Sequence, residues 1–220
     1  MAEADYNDKI EETIRKLWEY SNDENDWKHL KTSSDLVIHQ KKSDVFDGTL
    51  YKVERRMNVS PQRLIDLFYD MEFLKVAEKG TKSVDLIETI GGPDKAMITR
   101  TVTDSALFGL VSAREVVALS GVRYYPDKKV HVLVSVGISH PKCPEDQKNL
   151  VRVITYPSGR FIYAVDGQPN WCRLVEFAQS DGKLSMPKVV VEQAAPGAIK
   201  DKVEYFNKMV AKHDKAAAAK

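Results

Sequence analysis

The chain has 220 residues, enough to bury a sizeable core in one large domain or two small ones. Its 33 Lys and Arg against 32 Asp and Glu leave a formal net charge of +1, so no overall basic surplus steers it to nucleic acid. The apolar share of 43% and the charged share of 30% exclude an intrinsically disordered chain, and two cysteines, Cys143 and Cys172, exclude a disulfide scaffold.

The opening "MAEADYNDK" has no apolar core and does not read as a signal peptide, so a cytoplasmic protein is expected. Tyr6, Ile10, Ile14, Leu17 and Trp18 follow at helical spacing and predict an amphipathic first helix. Strands are expected at Leu36–Lys41 and Leu50–Met57. "SPQRLIDLFYDM" then reads as a helix, with Ser60 as N-cap and Pro61 at the first helical position. Strands follow at Val84–Ile90, Ala96–Thr103, Glu115–Tyr124, Val130–Ser139, Leu150–Tyr156, Arg160–Val165 and Trp171–Ala178. The turns "GGPDK", "YPDKK", "YPSG" and "VDGQPN" between them predict an antiparallel meander.

Toward the end the period changes. Ile199, Val203, Phe206 and Val210 form one apolar helical face, while "DKAAAAK" closes the chain as a tail. The fold class is therefore α+β: a long curved antiparallel sheet with an amphipathic helix at each end, in one domain with residues 214–220 as a flexible tail. A sheet wrapped around a C-terminal helix can enclose a cavity. Between two of the strands lies "DSALFGLVSARE", whose apolar Leu107, Phe108, Leu110 and Val111 surround Gly109 and follow neither strand nor helical periodicity.

Catalytic motifs are not evident. The five histidines (His29, His39, His131, His140, His213) lack ligand spacing, so no metal is expected, and no G-x-S-x-G elbow occurs. Cys172, beside Trp171 in an alternating strand, reads as a small apolar residue rather than a nucleophile. The pairs Lys41-Lys42, Arg55-Arg56 and Lys128-Lys129 read as solvated faces. The balance favours a binding protein with no catalytic residue.

Several segments together resemble a START domain, the lipid-transfer module named after the steroidogenic acute regulatory protein. "SARE" (Ser112–Glu115) followed by "VVAL" resembles the family's Pro-Arg-Asp strand entry. "SHPKCPEDQKNLVRV" (Ser139–Val153) resembles its His-Pro…Pro…Val-Arg stretch, and "LVEFAQSDGKLSMPKVVVEQ" the strand and hinge before its last helix. The likeness spans Trp27 to Lys212 and is greatest to short single-domain members that bind sterols and bile acids. It departs from the family at "FLKVAEKG", where Lys or Arg with Trp-Asp is usual. The buried Glu–Arg pair of steroidogenic-type members falls on Thr101 and Ser120, both neutral.

The resemblance implies a helix-grip fold over residues 1–213, enclosing a hydrophobic cavity that binds one lipid and carries it through the cytosol between membranes. Met97, Thr99, Thr101 and Thr103 on one strand, Val116, Ala118 and Ser120 on the next, with Arg152 and Gln193, would line it. The threonines also suit a strand for its own sake, and Arg152 suits a salt bridge in the barrel wall. Leu107, Phe108, Gly109, Leu110 and Val111 with Pro196 and Gly197 would form the gate, Pro196 interrupting the helix ladder at the Glu192 carbonyl. Burying about 400 Å² of apolar lipid at roughly 25 cal/mol/Å² is worth on the order of 10 kcal/mol before association costs. The ligand would be a sterol, bile acid or similar polycyclic or isoprenoid molecule, with no cofactor besides it. The expected partners are that ligand and a transient membrane surface, and the protein is expected to be a monomer. A phospholipid carrier, and a cyclase- or hydratase-type enzyme on the same fold, are the alternatives.

Overall fold

In the computed structural model, which describes residues 3–33, 35–91, 96–105, 112–145 and 150–218, the apolar stripe of the first helix lies against a sheet. This helix, α1 (Glu3–Asn22), buries Tyr6, Ile10, Ile14, Leu17 and Tyr20. Three strands follow: β1 (Lys28–Ser33), β2 (Leu36–Lys42) and β3 (Thr49–Met57). Ser60 accepts from the Arg63 backbone N–H to start α2 (Pro61–Phe68). Asp70 accepts from the Glu72 and Phe73 N–H groups to start α3 (Met71–Ala77). Such caps satisfy backbone donors that the first helical turn leaves unpaired.

The chain then runs through β4 (Thr81–Ile90), β5 (Ala96–Thr103), β6 (Ala113–Tyr125) and β7 (Val130–Gly137). Short β8 (Leu150–Arg152) and β9 (Ile154–Thr155) precede β10 (Ser158–Val165) and β11 (Gln168–Ala178). After β12 (Ser180–Asp181) comes the long α4 (Lys188–Ala218).

The main sheet has the order β1-β2-β3-β11-β10-β7-β6-β5-β4, with β8 beside β6. The expected meander is thus corrected at three points. Strand β3 pairs with β11 rather than with β4, and the crossing from β3 to the far edge is made through α2 and α3. Strand β8 runs parallel to β6, and Val153 breaks the expected single strand between β8 and β9.

Side chains alternate across the sheet, and the two faces have different partners. Val117, Leu119, Val132, Val134, Phe161 and Phe177 face α1, where Trp18 meets Phe161 edge-on at 4.6 Å. Gly159 permits this close approach. A Cβ there would lie 2.4 Å from the Leu133 carbonyl oxygen and 2.5 Å from Leu17 Cδ1, and a backbone oxygen in a central strand has nowhere to go. Gly159→Ala is therefore expected to cost about 3 kcal/mol, the upper end of overpacking effects, read by urea unfolding. A loss below about 0.5 kcal/mol would mean that both α1 and the neighbouring strand β7 can shift to admit the methyl.

The opposite, concave face is roofed by α4. Its C-terminal half is anchored by Val203 and Val210, by Phe206 packed on α2 and α3, and by the Arg63–Asp214 ion pair at 2.8 Å. Its N-terminal half makes two polar contacts with the sheet side, an exposed ion pair of Lys188 with Asp47 at 3.2 Å and a half-buried hydrogen bond from Thr49 Oγ1 to Glu192 at 3.2 Å. The helix continues through Pro196 and Gly197.

Candidate functional site

Between α4 and the concave face lies a cavity of about 900 Å³, near the top of the range for single small-molecule sites, about 300–1,000 Å³. Helix α4 contributes Val190, Val191, Ala194, Ala195, Ala198 and Ile199, a run at three- and four-residue spacing that keeps one stripe inward. Small alanines on this stripe leave space where larger side chains would fill it. One end is closed by Phe68, Leu74 and Phe206. At the other, Leu184, Met186 and Val190 border the cavity and are also exposed, Val190 by 48%. The cavity therefore meets solvent between the start of α4 and the segment before it.

Met97, Thr99 and Thr101 of β5 and Val116, Ala118 and Ser120 of β6 border this space. They are register partners: Met97 opposite Ser120, Thr99 opposite Ala118, Thr101 opposite Val116. Three other expected lining residues stand elsewhere. Thr103, at the end of β5, accepts a hydrogen bond from the Arg114 backbone N–H. Gln193 sits on the exposed side of α4, between the inward positions 191 and 194. Arg152 is buried in the sheet wall, where it meets Glu115 at 2.7 Å and donates to the Cys143 carbonyl at 2.9 Å. Arg100 pairs with the same carboxylate. Burial alone would raise the Glu115 carboxyl, but hydrogen bonds from Arg100 and Arg152 outweigh it, and the group is held below the usual carboxylate range. Pro196 and Gly197 do not border the cavity, and Leu107, Phe108, Gly109, Leu110 and Val111 lie outside the described residues.

The cavity also holds charges that the alternation of polar and apolar residues did not announce. Arg55, expected on a solvated face with Arg56, is 6% exposed. Neighbouring strand residues point to opposite faces, so Arg56 goes to solvent while Arg55 goes inward with Val53. Arg160 of β10 and Glu176 of β11 are cavity residues as well, directly opposite one another and paired at 2.9 Å. The signal that would have found them is a charge at an inward position, such as Glu176 between Leu174 and Ala178. Burial raises the Glu176 carboxyl, yet the fields of Arg160, Arg55 and Lys202 prevail and hold it low, so it stays ionised. Cys172 is fully buried, and burial pushes its thiol up to about 11, the setting of an inert core thiol.

The family model described as the START domain matches residues 8–213. StAR-related lipid transfer protein 5 of Bos taurus is 30% identical over 188 residues, which is 84% of this chain and 86% of that protein. StAR-related lipid transfer protein 6 of Homo sapiens is 24% identical over 192 residues, 87% of this chain and 86% of the relative. The solved structure of human StAR-related lipid transfer protein 5 superposes with a TM-score of 0.81 at 21% identity, over 97% of this chain and 100% of that one, a likeness of fold. The match extends over nearly the whole helix-roofed sheet, from α1 into the end of α4, and the chain belongs to the START domain family.

Proposed function

We propose that the chain binds one hydrophobic lipid in its cavity and carries it through the aqueous phase between membranes, without catalysing a reaction. The observation that carries this reading is the cavity itself, roofed by a stripe of alanine, valine and isoleucine on α4. The relatives, named as lipid transfer proteins, point the same way. A sterol, bile acid or similar polycyclic or isoprenoid molecule is the ligand class we favour. Water is excluded from the apolar surface of such a ligand at roughly 25 cal/mol/Å².

Release requires an opening, and α4 supplies one. Its C-terminal half is anchored by buried aromatic and aliphatic packing. Its N-terminal half is held by one surface ion pair, Lys188 with Asp47, worth about 0–1 kcal/mol, and by the Thr49–Glu192 hydrogen bond. Pro196 and Gly197 stand between the two halves, and exposed Met186, Val189 and Val190 would meet an acyl surface as the roof lifts. Among the described residues no helix is long and apolar enough to cross a membrane, so the contact would be peripheral. A Cβ at Gly197 meets nothing within 4 Å. Gly197→Ala should therefore stabilise α4 by about 1 kcal/mol and slow vesicle-to-vesicle transfer severalfold, read by the melting temperature and a fluorescent-sterol transfer assay. An unchanged transfer rate would place the hinge elsewhere.

Native mass spectrometry of the protein purified from its own source tests the carrier reading. A single stoichiometric adduct, extracted and identified as a lipid, is the expected result. A protein that travels empty and takes up no labelled lipid from vesicles would overturn it.

A further inference from the structure

Among the described residues the buried arginine, Arg55, has no counter-charge within ion-pair distance, and Glu176, paired with Arg160, reaches it only through its field. Its hydrogen bond is a long one, 3.5 Å, from Nη1 to Asn207 Oδ1. Its Nε, like that of Arg160, has no hydrogen-bond partner among the described residues. The two guanidinium groups are nevertheless fixed. Arg160 lies 4.6 Å over the ring of Phe68, Arg55 lies 5.3 Å over that of Phe206, and the two rings stack at 5.6 Å and 18°. Such contacts hold a cation in place and leave its N–H edge free for an acceptor.

The charges do not cancel. Arg160 is neutralised by Glu176 at 2.9 Å, and Lys202, where α4 passes α3, is neutralised by Glu78 at 2.8 Å. Arg55 leaves one positive charge over, sunk in a cavity whose other walls are largely aliphatic. An uncompensated buried charge is costly, whereas the same charge facing an anion forms strong, charge-assisted hydrogen bonds. The polar side chains Ser120 and Ser135, opposite each other across β6 and β7, border the same space.

We propose that the cavity selects amphiphiles carrying a single negative charge on the head (a carboxylate, sulfate or phosphodiester), with that head seated against Arg55 and Arg160 and the apolar body lying along β5, β6 and α4. This rests on the carrier reading and narrows it. Glu176 then does two things: it aligns Arg160, and it limits the excess to one charge, so that a neutral head leaves Arg55 unmatched and a doubly charged head leaves an anion unmatched.

The test uses twin probes that differ in head charge alone, cholesterol sulfate against cholesterol and oleate against oleyl alcohol, each offered to the full chain from phosphatidylcholine vesicles. The charged twin is expected to bind about tenfold or more tightly on either scaffold, and Arg55→Gln to reduce that ratio about tenfold. Arg55 can be neutralised without stranding a carboxylate, whereas Arg160→Gln would orphan Glu176. Circular dichroism checks the fold, and the wild-type ratio stands whether or not the variant folds. Equal binding of both twins by the wild type would overturn the assignment and leave the carrier reading intact. Failure of all four probes to bind would instead count against the carrier reading. Sodium sulfate alone, if it raised the melting temperature as much as cholesterol sulfate, would show a free-anion site and overturn the assignment to a lipid head.

Discussion

Glu115→Gln is expected to lower the stability of the fold by about 3–5 kcal/mol, the cost of leaving a buried charge without its partner. Glu115 is 1% exposed and sits between Arg152, itself 7% exposed, and Arg100. Removing its charge leaves Arg152 with carbonyl acceptors but no anion. For a chain of this size the loss corresponds to a fall in melting temperature on the order of 10 °C. The double change Glu115→Leu with Arg152→Met should recover much of it, because it removes both fully buried charges and leaves Arg100, 21% exposed, with Asp85 at 3.7 Å. Acid should reveal the same group. Since the folded carboxyl titrates below its unfolded value, its contribution is complete above about pH 4.3 and is lost as pH falls through the lowered value. Wild type and Glu115→Gln should therefore converge in stability on acidification. A single variant within 1 kcal/mol of wild type at neutral pH would show that the pair is dispensable.

Ala118→Trp should abolish lipid binding while leaving the protein folded. Ala118 is at the middle of β6, flanked in register by Thr99 and Gly137, with its methyl directed at the cavity. An indole there divides the space that a ligand body needs, and a loss of more than tenfold in affinity is expected by native mass spectrometry against any lipid the wild type retains. In a filled core such an insertion costs about 1–3 kcal/mol through strain. Entering an existing void avoids that strain and buries the indole, so the melting temperature should hold or rise. Undiminished binding would place the ligand outside the cavity.

The helix α1, the N-cap Ser60, most of the strands and the C-terminal apolar stripe were legible because each repeats a simple period or carries a capping residue that the backbone needs. Alternation placed Met97, Thr99 and Thr101 on one face of β5 and Val116, Ala118 and Ser120 on one face of β6, but that this face turns inward came from the family resemblance at Thr101 and Ser120. Strand β1, "KHLKTS", was not, because an edge strand buries little and shows no apolar alternation. Helix α3 is only seven residues long, too short for a helical stripe to register. The parallel pairing of β8 depends on a contact between distant segments, Glu115 opposite Arg152, that no local pattern encodes. Arg55 was misread because a basic pair on a strand splits between two faces, and sequence alone does not say which member turns inward.

The pairing of β3 with β11 has a consequence for how the molecule is made. Tyr51 to Met57 must find Cys172 to Ala178, more than a hundred residues downstream. A nascent chain leaving the ribosome therefore presents β1, β2 and β3 with one side of β3 unclaimed until nearly all of the polypeptide has emerged. Closing so long a loop costs entropy before any contact repays it, which makes assembly slow for a chain of this size. During that interval the unpaired edge is a template for strands of other molecules, so synthesis of this protein should depend on chaperones that shield extended segments.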